Sequence, residues 1–74
     1  MEKDAVVVFA KNIRNLRIER GYSQESLAHR ADVDRTYIGS IERAERNLTL
    51  RSAEKISRAF GLELWEVLSL AETN

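Results

Sequence analysis

Arg35, Thr36, Tyr37 and Ser40 are the side chains of this 74-residue sequence whose types and spacing suggest chemistry. That chemistry is hydrogen bonding rather than bond making. A guanidinium is a planar fork that fits two acceptors on a guanine edge, and a threonine methyl fits the thymine methyl. Catalysis would need a concave site with paired acid and base groups. Glu42 and Glu45 form no evident pair of that kind, and His29 lies away from the apolar side of its segment. No enzymatic activity is expected. One histidine and no cysteine leave neither a zinc site nor a disulfide, so no metal, cofactor or small-molecule ligand is expected.

A reading surface of this kind needs a rigid support, and hydrophobic periodicity supplies helices. The first is expected from about Lys3 to Arg20, with Val6, Phe9, Ala10, Ile13 and Leu16 on one face. Ser23 is a good N-cap for a second helix over about 24–31. Asp34 caps a third over about 35–43, and Thr49 a fourth over about 50–60, whose Leu50, Ala53, Ile56, Ala59 and Phe60 face inward. A fifth spans about 63–71. Gly21 and Gly61 suit the left-handed position just past a helix end, and Asp32 stands at a corner that calls for positive φ. Gly39 lies inside the third helix, where it costs about 1 kcal/mol relative to alanine but keeps the helix thin. The fold class is all-α, one domain over 1–74. Within it, Leu27, Ala28, Ala31, Val33, Ile38 and Ile41 let helices two and three pack on each other, with the polar set at 35–40 outside. That is how a helix-turn-helix, here about 24–43, presents its second helix to the DNA major groove.

Lys and Arg number 12 and Asp and Glu number 12, a net charge of zero. A reader of nucleic acid is usually basic, but the distribution is uneven. All the bases lie in residues 1–58, and residues 59–74 carry only Glu63, Glu66 and Glu72. A mildly basic body can meet phosphates while an acidic tail lowers nonspecific affinity. No apolar run approaches the roughly 18 residues of a membrane span, and no signal peptide is evident, so a soluble, cytoplasmic protein is expected.

Residues Ile13 to Leu68 resemble the Cro and lambda-repressor type of helix-turn-helix domain. The shared strings are IRNLR at 13–17, Gly21, SQESLA at 23–28, RTYIGSIER at 35–43 and FGLELWEVL at 60–68. Within that group, DRTYIGSIERAERNLTL at 34–50 and the small size are most similar to controller proteins of restriction–modification systems. Asp32 departs from the usual glycine at the corner, and Glu63 from the usual serine or aspartate cap of the last helix. The resemblance implies an ion pair between Arg17 and Glu42 that orients the recognition helix.

Base reading is assigned to Arg35, Thr36, Tyr37 and Ser40, with Arg46 reaching from the loop. Tyr37 fits base, phosphate or simple coverage of the helix edge equally well. Phosphate binding is assigned to Gln24 at the start of the second helix, and to Arg43, Asn47, Arg51 and Ser52 around the start of the fourth. The last helix carries more apolar surface than a chain this small can hide. A symmetric homodimer is expected through Leu64, Trp65, Val67 and Leu68, placing two recognition helices about 34 Å apart on a pseudo-palindromic operator. The resemblance implies autoregulation of the protein's own promoter and of the endonuclease gene, with one or two dimers per operator. The alternatives are a phage-type or antitoxin autorepressor, and a protein-interaction module that does not read DNA.

Overall fold

Short side chains that accept backbone hydrogen bonds mark where the first four helices begin. The computed structural model describes residues 4–45 and 48–70. Its elements are α1 (Ala5–Glu19), α2 (Gln24–Ala31), α3 (Arg35–Glu42), α4 (Leu50–Arg58) and α5 (Leu64–Ser69), with no strand among the described residues. Asp4 caps α1 by accepting from the Val6 amide at 2.9 Å. Ser23 does so for α2 from Ser26 at 3.0 Å, Asp34 for α3 from Thr36 at 2.8 Å, and Thr49 for α4 from Ser52 at 3.1 Å. Each such cap is worth about 1 kcal/mol. At α5 the Glu66 side chain reaches back to accept from the Glu63 amide at 2.9 Å, so the helix starts cleanly without a serine or aspartate cap.

Four helices end in the same way, with a left-handed residue closing paired hydrogen bonds onto the last turn. After α1, Gly21 has φ +73°, and the amides of Gly21 and Tyr22 donate to Ile18 and Arg17. Gly61 repeats this after α4, and Asp32, at φ +57°, after α2. After α3 the residue is Ala44, at φ +60°, where the Glu45 amide donates to Ser40 at 3.2 Å. A left-handed alanine carries about 1–2 kcal/mol of steric cost, whereas glycine costs about 0.5–1 kcal/mol through its freer unfolded chain. Ala44→Gly is therefore expected to raise the thermal midpoint by a few degrees. An unchanged or lower midpoint in a calorimetric scan would contradict the strain.

The inward faces meet in one core, in which Phe9, Ile13, Leu27, Ile38, Ile41, Ile56 and Val67 are fully buried. Ala28 and Ala31 are buried with them, small enough for α2 and α3 to cross closely. Asn12, unassigned by periodicity, is also buried. Its Nδ2 donates to the Val67 carbonyl at 2.7 Å, tying α1 to the end of α5. Two apolar expectations need correction. Leu50 does not face inward but is 78% exposed, because the first residue of a helix has no preceding turn to cover it. Val67 is not available at a surface: on a six-residue helix it takes the core side, leaving Trp65 and Leu68 exposed.

Candidate nucleic-acid interface

The left-handed Asp32 turns the chain sharply between α2 and α3, and Asp34 then starts α3 with Arg35 as its first residue. Arg35 and Thr36 are exposed. Among the described residues the Arg35 guanidinium has no hydrogen-bond or ion-pair partner. A cation at a helix N-terminus, with no acidic residue in that first turn, opposes the macrodipole. Tyr37 is half-buried against the core, and its hydroxyl accepts from the Thr49 amide at 3.4 Å, joining α3 to the cap of α4.

Ser40 is not on the outer surface as expected. It is 5% exposed, and its hydroxyl donates to the Glu45 carboxylate. The left-handed Ala44 folds the chain back so that Glu45 covers it. This Ser40 bond, followed by the bond and charge of Arg43, holds the Glu45 carboxyl below the usual carboxylate range. Glu45 is accordingly ionised at neutral pH.

Behind this face lies a short polar network. Arg17 Nε donates to Glu42 Oε2 at 2.6 Å and Nη2 to Oε1 at 3.1 Å, while Nη1 donates to the Tyr22 carbonyl at 2.9 Å. The pair links α1 to the last turn of α3, with side chains only 15% and 5% exposed. Glu42 Oε1 also accepts from Gln24 Nε2 at 3.2 Å. The Gln24 side chain, assigned to phosphate, is thus braced against the ion pair. The Tyr22 carbonyl and this bond from Gln24 are not legible in the sequence, since both depend on how α1 and α2 meet. Two uncompensated charges here would be costly, but the pair satisfies itself and borrows a backbone acceptor.

Of the flanking cations, Arg43 is exposed and its Nε meets Glu45 Oε2 at 3.2 Å. Arg51 is exposed at the start of α4, and Ser52 is half-buried beside it, its amide taken by Thr49. Arg46 and Asn47 lie outside the described residues. On another side of the molecule, Ala5, Val6, Phe9, Leu64 and Leu68 line an apolar groove that Leu50 borders. Trp65, 68% exposed, stands on the same short helix. Leu64 and Leu68 therefore share one groove, whose lining does not include Arg35 or Thr36.

The described arrangement of α2, α3 and the corner between them agrees with sequence comparison: the helix-turn-helix family model matches residues 13–64. The chain belongs to the helix-turn-helix family. Among similar proteins, control protein C.MunI of a Mycoplasma species is 43% identical over 67 residues, spanning 89% of this chain and 90% of that protein. A hypothetical transcription factor of Neisseria meningitidis serogroup B is 39% identical over 67 residues. That match takes in 90% of this helix-turn-helix chain, which spans only 63% of the Neisseria protein. The crystal structure of the restriction-modification controller protein C.Esp1396I, a tetramer in complex with its natural 35 base-pair operator, aligns with TM-score 0.78 at 37% identity. It covers 90% of this chain and 92% of that one.

Proposed function

We propose that this chain is a transcriptional regulator of the restriction–modification controller type, acting on DNA in the cytoplasm. It binds a pseudo-palindromic operator as a homodimer and regulates its own promoter together with the endonuclease gene. The observation that carries this reading is the exposed Arg35 guanidinium, without a partner among the described residues, at the start of a recognition helix braced from behind by Arg17 and Glu42. Arg35 and Thr36 read base edges, with Arg46 joining from the loop. Gln24, Arg43, Asn47, Arg51 and Ser52 surround them as phosphate contacts that set register. Ser40 supports the Glu45 turn instead of reading, and Tyr37 sets the angle between α3 and α4.

Leu64, Trp65 and Leu68 form the homodimer contact, with Leu50 at its edge. An exposed tryptophan on the helix whose Leu64 and Leu68 line an apolar groove offers the anchor and pocket that a symmetric interface requires. The operator-bound tetramer of C.Esp1396I supports two dimers on one site. The signal is the protein's own concentration, because dimers must form before tight binding.

Leu68→Glu tests the dimer. The side chain is exposed, so the monomer should stay folded, while a carboxylate placed in the apolar contact should drive dimers apart. Sedimentation is expected to show dimers for the parent chain and monomers for the variant. Affinity for DNA from upstream of the protein's own gene should fall by at least about tenfold. Equal dimerisation of the two proteins would place the interface elsewhere.

A further inference from the structure

Gly39 lies on the same side of α3 as Arg43, one turn away, and is buried despite having no side chain. What covers it is Arg43. A methyl group built on Gly39 would stand 3.2 Å from Arg43 Nη1 and 3.7 Å from Gln24 Oε1. Arg43 is held over the glycine by its root: Nε pairs with Glu45 Oε2, and the other Glu45 oxygen accepts from the buried Ser40 hydroxyl. Around this trough stand Gln24, Arg35, Thr36 and Arg43, a polar cleft opening from the reading face.

We infer that Gly39 is a positioning residue for DNA recognition, whose missing side chain lets the Arg43 guanidinium lie across α3 beside Gln24 and Thr36. Arg43 is thereby drawn from the flank of the recognition helix into its reading surface. The chain Ser40–Glu45–Arg43–Gly39 gives the buried serine its purpose and accounts for a glycine in a helix interior, where alanine would be more stable. This inference rests on the DNA-reading proposal and adds a residue that itself touches no DNA.

The test uses two variants that favour the helix, Gly39→Ala and Gly39→Gln, on the duplex that the parent protein selects. Both should raise the thermal midpoint, since both residues have higher helix propensity than glycine. Affinity should fall despite this, by a few-fold for alanine and about tenfold for glutamine, as the guanidinium is displaced from a base or phosphate. Arg43→Ala should cost about as much as Gly39→Gln, and Gly39→Gln should add nothing in the Arg43→Ala background. Unchanged affinity of Gly39→Gln, or an equal loss with and without Arg43, overturns the inference while leaving the DNA reading in place. A parent protein that selects no duplex overturns both.

Discussion

Glu42→Ala is expected to lower stability by about 3 kcal/mol, because among the described residues it leaves Arg17 charged and mostly buried with only the Tyr22 carbonyl as partner. The figure sits at the lower end for a broken buried pair, since the Arg17 side chain retains some contact with water. For a domain of this size that corresponds to a fall in thermal midpoint of roughly 15 °C. Gln24 loses its brace in the same step, so the start of α2 and the end of α3 come free together. DNA affinity should fall further than instability alone explains, since measured well below the midpoint the folded variant still holds a loosened recognition helix. Glu42→Gln keeps the size and acceptor of the side chain but not its charge, and should fall between the two. A midpoint unchanged in Glu42→Ala with DNA binding lost would give the pair a role in contact rather than in support.

Arg35→Ala should behave in the opposite manner. The guanidinium is exposed and without a partner among the described residues, and it opposes the helix dipole, so its removal should leave the midpoint the same or slightly higher. Discrimination at one base pair per half-site should disappear. A bidentate arginine–guanine contact is worth about 1–3 kcal/mol, and two-fold symmetry doubles the loss across the operator. Residual binding should depend on salt as before, because the contacts to phosphates remain. The two variants thus separate a residue that supports from a residue that reads, by stability as well as by affinity.

Much of this division is legible before any coordinates. Ser23, Asp34 and Thr49 announce three helix starts because capping is a local interaction, and Gly21 and Gly61 announce two ends for the same reason. Asp32 at the corner follows from backbone sterics alone. What escaped depends on contacts between distant segments. Ser40 has the polarity of a surface residue, yet it is buried by Glu45, which reaches it only because Ala44 adopts a left-handed conformation. Val67 and Leu68 are indistinguishable in a short apolar run until the docking of α5 on α1 sends one to the core and the other to solvent. Leu50 fits the periodicity of α4 but occupies its first position, where no neighbour covers it. Asn12, three residues beyond Phe9, did carry a signal: a carboxamide on an apolar face must find partners, and it finds them at the end of α5.

The central proposal is that a few exposed side chains of the recognition helix, doubled by symmetry, carry specificity in a chain of zero net charge. Selection of bound duplexes from a random pool, performed with the parent protein and with Arg35→Ala, tests this most directly. The account predicts an enriched palindrome with half-sites about one helical turn apart, and loss of preference at one symmetric pair of positions in the variant. A parent protein that enriches no sequence would contradict it.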